Sequence, residues 1–255
     1  MSEILVYSVD LGVASLLMNR PDKRNALNAE LVKALSDALG RAAADDDVRA
    51  VLLRGAGTDF CSGADLAELE RIADMGPEAS LADASVLGDL FVAMRRHPKP
   101  IVAAVHGRAL AGGAGLATAC DLVVASDDAE LGYPEVRLGF VPAMVMAILR
   151  RKVGESRAFE LATRGDRVTA AEARELGLVN RVCPADRVAD EAASYAAGLA
   201  ARPASAVQLS KRLLYGLDGV GFEDGIARGA EVNVIARLTE ACREGVRQPA
   251  RCCDP

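Results

Sequence analysis

The chain has no tryptophan, and only four tyrosines and five phenylalanines among its 255 residues. Its core must therefore be built mostly from alanine, leucine and valine. Histidine is scarcer still, with His97 and His106 alone. The six cysteines (Cys61, Cys120, Cys183, Cys242, Cys252 and Cys253) include no Cys-x-x-Cys pair. Together these shortages argue against a metal site and against a disulfide framework. The cysteines read as small buried hydrophobes, the tail pair as incidental. Basic residues are in deficit: the formal net charge is −6 and the sequence pI about 5.1. A nucleic-acid binder would need a basic face. No leader pattern and no apolar run of membrane-spanning length is present. The expectation is a reduced, cytoplasmic protein with no metal and no membrane partner.

What the chain does have is length enough for a sizeable core and one unusually bare stretch. Pro100 to Glu135 contains a buried apolar strand, Ile101–Val105, then glycines crowded before a small-residue helix expected over Leu110–Ala119. A second buried strand, Leu122–Ala125, follows. A strand, a glycine-rich turn and a helix start leave backbone N–H groups that can hold a negative oxygen. Gly112 and Gly113 would let a ligand approach the backbone. The same glycines would equally allow the helix to pack close to the strands. The stretch carries no Gly-Lys-Ser/Thr, and Gly113-Ala114-Gly115 lacks a third glycine at the right offset, which argues against a nucleotide site.

The rest of the chain repeats the plan. Ile4–Val9 and Val13–Met18 flank a hairpin turn at Asp10-Leu11-Gly12. Asn28 is the expected cap of a helix with Leu31, Leu35 and Leu39 on one face. A strand at Val48–Leu53 leads through a turn to Phe60-Cys61-Ser62-Gly63-Ala64-Asp65-Leu66, a second strand–loop–helix unit. From Pro184 onward alanine-rich helices are expected over about 185–201, 203–216 and 222–245, with no strand pattern. A boundary is placed near residue 195. It divides an α/β core, 1–195, from an all-helical region, 196–255, too small for a core of its own and so expected to pack on a neighbouring copy or back on the core.

The pieces Asn19-Arg20-Pro21, Arg24-Asn25-Ala26-Leu27-Asn28, Phe60 to Leu66, Val105-His106-Gly107-Arg108-Ala109-Leu110-Ala111-Gly112-Gly113, Ala119-Cys120-Asp121 and Pro134-Glu135-Val136-Arg137-Leu138-Gly139 occur in that order. Ala170-Ala171-Glu172-Ala173 and Gly177-Leu178-Val179-Asn180 follow. In this order and spacing the chain resembles the crotonase superfamily, which includes enoyl-CoA hydratases and isomerases. The resemblance covers most of the chain. It implies an α/β spiral of ββα units, a C-terminal helical region that trimerises, and a homotrimer or hexamer. It implies an acyl-CoA thioester substrate and no cofactor beyond the CoA that the substrate carries. The N–H groups of Ala64 and Gly112 would form an oxyanion hole for the thioester carbonyl. Lys23, Arg24 and Ala26 would lie near the CoA nucleotide, with Ser62, Asp65 and Leu66 along its path. Gly63, Gly113, Tyr133 and Pro134 would complete the pocket.

Hydratases of this superfamily carry two glutamates. The second is present as Glu135; the position of the first holds Gly115. One carboxylate in an apolar pocket, its pKa raised by burial, can still take a proton from one atom and return it to another. The expected activity is hydration of a 2-enoyl-CoA, branched esters included. The alternatives are migration of a double bond from position 3 to 2, and acyl-CoA binding without turnover. A serine hydrolase would need a histidine beside Ser62. A dehalogenase would need a nucleophilic aspartate with a helping histidine, and neither stands at a convincing position.

Overall fold

The computed structural model describes residues 3–247, except for the side chains of residues 66, 69, 72 and 73. Cys252 and Cys253 thus lie outside the described residues. The elements in chain order are β1 (Leu5–Asp10), β2 (Val13–Met18), α1 (Ala29–Ala44), β3 (Ala50–Gly55), α2 (Leu66–Ala73), α3 (Pro77–Arg96), β4 (Ile101–Val105), β5 (Arg108–Leu110) and α4 (Gly112–Ala119). There follow β6 (Leu122–Ser126), β7 (Glu130–Gly132), a 3-10 turn at Pro134–Leu138, α5 (Ala143–Val153), α6 (Glu155–Arg164), β8 (Arg167–Thr169), α7 (Ala170–Glu175) and β9 (Arg181–Cys183). The chain ends in α8 (Val188–Ala200), α9 (Ala204–Gly216), α10 (Phe222–Leu238) and α11 (Glu240–Arg247).

A six-stranded sheet runs β1-β2-β3-β4-β6-β9 and a three-stranded one β5-β7-β8. The hairpin β1–β2 is antiparallel and every later pairing in the large sheet is parallel. Leu11 and Gly12 turn the hairpin with φ of 46° and 74°, the hand that matches strand twist. The large sheet is covered on both faces, as a parallel sheet requires. Val51, Leu53, Ile101, Ala103 and Val105 point toward α1, α3 and α4. Ala50, Leu52, Val102, Ala104 and Val124 point to the other face, where α8 lies on them through Val188, Ala192, Ala196 and Ala200. The chain passes twice from the large sheet to the small one, as β4–β5 and β6–β7. Each excursion then enters a helical segment, which is the expected ββα spiral.

Three expectations shift. The helix expected from Leu110 begins at Gly112, because Arg108–Leu110 pairs with Glu130–Gly132 as strand and Ala111 turns at φ 51°, ψ −124°. The helix expected over 222–245 is two helices that break at Thr239, whose hydroxyl accepts the Cys242 N–H. Residue 195 lies inside α8, whose alanines lie on the sheet, so the α/β layer continues to Ala200. α9 is docked by a buried polar cluster. Lys211 Nζ donates to Asp121 Oδ2 (2.7 Å) and to the carbonyls of Met94 and Lys99, and Tyr215 donates to Asp121 Oδ1 (2.7 Å). α10 and α11 have no buried residue, and α10 leaves Phe222, Ile226 and Leu238 exposed.

Candidate active site

Two loops that follow β3 and β4 lie side by side. Phe60 N–H donates to His106 O (2.9 Å), Cys61 N–H to Arg108 O (3.1 Å), and Leu110 N–H to Cys61 O (3.0 Å). This is a parallel bridge, Cys61 opposite Ala109. Three residues beyond the bridge along the two segments come Ala64 and Gly112.

The direction of each N–H follows from its neighbours. On the other edge of the first loop, Ser62 N–H donates to Arg24 O (3.0 Å), Leu27 N–H to Gly63 O (2.7 Å), and Asp65 N–H to Leu27 O (2.9 Å). A bridge that uses the carbonyl before Ala64 and the N–H after it turns the Ala64 N–H away, toward the second loop. Gly63 makes this possible: its φ of +102° breaks the alternation, so Cys61 and Ala64 both face the second loop. Ala111 plays the matching part with φ +51°, rare for a residue with a side chain. Its N–H is held by Gly132 O (2.8 Å). Strain of this kind persists where the surroundings over-determine it, and it clusters at functional sites. Gly112, the first residue of α4, then presents an orphan helix N–H. Among the described residues, neither the Ala64 nor the Gly112 N–H has a backbone acceptor.

Glu135 enters from the adjoining strand. β7 pairs with β5, Gly132 opposite Leu110, and Glu135 follows three residues later in the 3-10 turn. Its Oε2 is buried without a hydrogen-bond partner. Among the described residues the other such atom is the Tyr7 hydroxyl, on β1. Burial pushes the Glu135 carboxyl above the ordinary carboxylate range. A buried carboxyl oxygen left without a partner costs stability, and groups perturbed in this way cluster at functional sites.

The other expected site residues divide. Lys23 and Arg24 are exposed and Ala26 is buried, its carbonyl accepting from Arg20 Nη1. Ser62 is half-buried, and Pro134 opens the turn that carries Glu135. The side chain of Leu66 is outside the described residues. Asp65 is engaged: Oδ2 accepts from Arg20 Nη2 (2.8 Å) and Oδ1 from Ala67 N–H (3.2 Å), so it fixes the start of α2. Arg20 and the Ala67 N–H together hold its carboxyl below the usual range, with burial opposing them. Tyr133 is buried with its hydroxyl 3.2 Å from Thr118 Oγ1. A side chain on Gly113 would overlap the Cys61 carbonyl, so the missing side chain there serves loop packing rather than ligand access. Gly112 differs: a Cβ there would meet Leu27 Cδ1 at 3.2 Å and Leu87 Cδ2 at 3.7 Å, side chains alone.

Gly115, the position of the absent glutamate, is buried. A Cβ there would lie 2.6 Å from Val145 Cγ2 and 3.1 Å from Phe91 Cζ. α3 and α5 have closed over the space a carboxylate would take. The sequence reading missed this wall, and it missed Asp59 and Arg108, which pair beneath the two loops. Asp59 read as an ordinary turn residue. The histidines are occupied elsewhere. His97 Nε2 lies 3.1 Å from Leu39 O and its Nδ1 3.0 Å from Lys99 O and 3.2 Å from Lys99 N, while His106 Nε2 meets Gly57 O (2.9 Å). Neither ring nitrogen is bonded to Ser62, so no serine–histidine pair forms. Among the described residues no cluster fit for a metal ion occurs, and no helix is long and apolar enough to cross a membrane.

Fold and sequence comparison define the class as the crotonase fold. A crystal structure of a Mycobacterium smegmatis enoyl-CoA hydratase superposes with TM-score 0.93 at 33% identity, covering 100% of this chain and 98% of that one. A Thermus thermophilus protein named as a candidate enoyl-CoA hydratase is 46% identical over 92% of this chain and 93% of its own. The Escherichia coli 2,3-dehydroadipyl-CoA hydratase is 35% identical over 96% and 94%. The family model described as enoyl-CoA hydratase/isomerase matches residues 9–238. The chain belongs to the enoyl-CoA hydratase/isomerase family, and it is an enzyme of that family.

Proposed function

We propose that the protein hydrates a 2-enoyl-CoA, with the Ala64 and Gly112 N–H groups holding the thioester oxygen and Glu135 as its single acid/base. The observation that carries this reading is Glu135 Oε2, buried without a partner in the turn that follows β7, the strand paired with β5 beside Gly112. Glu135 takes a proton from water as the oxygen adds to C3. The C2=C3 electron pair moves toward the thioester, and the negative charge gathers on the carbonyl oxygen between the two N–H groups. Glu135 then returns the proton to C2. Donors aimed at charge that grows in the transition state contribute about 3–4 kcal/mol each in comparable sites. Lys23 and Arg24, exposed at the rim, are suited to the CoA phosphates. The exposed apolar residues of α10 suit a homotrimer or hexamer. The compartment proposed is the cytoplasm.

A second reading has its own observation. Val145 and Phe91 fill the place of a second carboxylate. A lone Glu135 could instead move a proton from C2 to C4 of a 3-enoyl-CoA, which requires no positioned water. Incubation with 2-enoyl-, 3-enoyl- and branched enoyl-CoA esters, read by mass and by the absorbance of the conjugated thioester, separates the two. Uptake of water by a 2-enoyl ester supports hydration. Conversion of a 3-enoyl ester to a conjugated one at unchanged mass supports migration. Binding without either change overturns both and leaves acyl-CoA binding alone.

A further inference from the structure

We propose that Asp59 and Arg108 are positioning residues that set the register of the two loops and so place the Ala64 and Gly112 N–H groups opposite each other. The inference rests on the reading of those two groups as an oxyanion hole.

The need for such a device is visible in the ladder itself. Outside the named strands the two loops share an isolated bridge, Cys61 with Ala109. Register in a sheet is normally specified by a buried alternating face along several residues. One bridge offers little of that. A slip of one residue would shift one loop by about 3.3 Å against the other. It would set Ala64 opposite Ala111 or Gly113, and the paired donors would be lost.

Arg108 immediately precedes bridged Ala109 and Asp59 stands two residues before bridged Cys61, and together they lock the pair. The Asp59 side chain is 3% exposed. Its Oδ1 accepts the Arg108 backbone N–H (3.0 Å) and Arg108 Nε (2.8 Å), and its Oδ2 accepts Arg108 Nη2 (3.0 Å). One carboxylate therefore grips both the backbone and the guanidinium fork of a single residue. That geometry tolerates no sliding, since a shifted Arg108 would lose the backbone bond and the fork together. The contact is strong enough to matter. Burial raises the Asp59 carboxyl, and the Arg108 bonds outweigh it and hold the group below the usual carboxylate range. Gly107 completes the close approach, because at φ +54° a Cβ there would overlap the Thr58 carbonyl.

The same residue ties in a third chain. Asn25 Nδ2 donates to the Asp59 carbonyl (2.8 Å), and Arg24 Nε lies 3.8 Å from Asp59 Oδ2. The Arg24–Leu27 segment is the one that turns the Ala64 N–H toward the second loop. Asp59 thus stands where all three chains that orient the donors meet, and its two carboxylate oxygens face away from solvent. Neither Asp59 nor Arg108 needs to touch substrate for this role.

The test uses the full-length wild-type protein, Arg108→Lys, Arg108→Gln and Asp59→Asn, with a 3-oxoacyl-CoA as probe. Its enolate carries the negative oxygen that the hole would bind, and it absorbs in the near ultraviolet, so the enolate fraction on the protein reports the hole directly. The expected result is a strong enolate band on wild type and a weak one on Arg108→Lys, which keeps the charge but loses the fork. Turnover should fall by about a hundredfold, the scale of a misplacement near 1 Å, with KM changed less than about threefold and the melting temperature recorded alongside. Arg108→Lys, on a partly exposed side chain, keeps the test alive should Asp59→Asn fail to fold. Folded Arg108 variants with wild-type enolate band and turnover would overturn the positioning role. A wild-type protein that binds the probe with no enolate band would overturn the oxyanion reading beneath it, a different result from the first.

Discussion

Gly115→Glu restores the carboxylate that two-glutamate hydratases carry, and it should fail for a reason visible in the packing. The first atom of any side chain there would stand 2.6 Å from Val145 Cγ2 and 3.1 Å from Phe91 Cζ. Val145 is β-branched and held in a helix, so it has one favoured rotamer and cannot swing aside. Phe91 meets the site with the edge of its ring and can tilt by a few tenths of an ångström. Gly115→Ala isolates the steric part. Overpacking costs about 1–3 kcal/mol, and the better helix propensity of alanine returns up to about 1 kcal/mol. The net loss is about 0–2 kcal/mol, or a fall in melting temperature of up to about 8 °C for a domain of this size. Gly115→Glu adds a buried carboxylate with no partner, which raises the cost by several kcal/mol. Pairing it with Val145→Gly removes the closest contact. The double variant should therefore be more stable than the sum of the single changes implies, by at least about 1 kcal/mol in a double-mutant cycle. If the missing carboxylate limits hydration, the double variant should also hydrate 2-enoyl-CoA faster than Val145→Gly alone. Thermal melts and initial rates on the four proteins give both answers. A Gly115→Glu single variant as stable as wild type would refute the closed wall. A folded double variant with no gain in hydration would refute Gly115 as the seat of a missing acid/base.

The remaining predictions test the residues in place. Glu135→Gln should lower turnover by about 10² to 10⁴ and change CoA-ester affinity little, as read by steady-state rates and direct binding. Because burial raises the Glu135 carboxyl, the acidic limb of the rate profile should lie above the range of an ordinary glutamate and rise with pH as the base ionises. The stability sign is opposite: the folded protein holds this proton more tightly than the unfolded chain. Wild type therefore loses stability as pH rises from the unfolded glutamate pKa through the raised folded one, and Glu135→Gln should not. Ala64→Pro, which deletes one N–H, should cost at least about a hundredfold in turnover with CoA still bound; a folded variant of unchanged rate would place the hole elsewhere. Lys211→Met should destabilise by about 3–5 kcal/mol in denaturant titration, since it leaves the Asp121 carboxylate without its buried cation.

Much of the fold was legible because its signals are local. Buried parallel strands such as Ile101–Val105 are unbroken apolar runs, and α1 declares itself through Asn28 and the leucines one turn apart. The errors fall where a tertiary contact decides. The alanine-rich helices from Pro184 onward suggested a separate helical region with a boundary near residue 195, yet Ala192, Ala196 and Ala200 lie against the sheet. Composition cannot tell an alanine chosen for close approach from one chosen for helix propensity. Nor could it show that α8 belongs to the sheet while α10 buries none of its own residues.

The sequence points to the bare backbone at the candidate site more readily than to its side-chain partners, for a physical reason. Glycine next to a strand end announces a bare backbone, so Gly112 and Gly113 could be singled out from residue type, while Ala64 was implied by the family resemblance alone. The turn that aims Gly112 is made by Ala111 at φ +51°, a conformation alanine seldom takes and no sequence pattern reports. Side chains carry no such marker of their partners. Asp65 and Tyr133 read as ligand contacts, but their polar atoms are engaged by Arg20 and Thr118. Asp59, a turn residue to the eye, holds three chains together. Glu135 is distinguished from these by what it lacks: a buried oxygen with no donor. That absence exists only once every neighbour has been placed, so it is a property of the fold and not of any stretch of sequence.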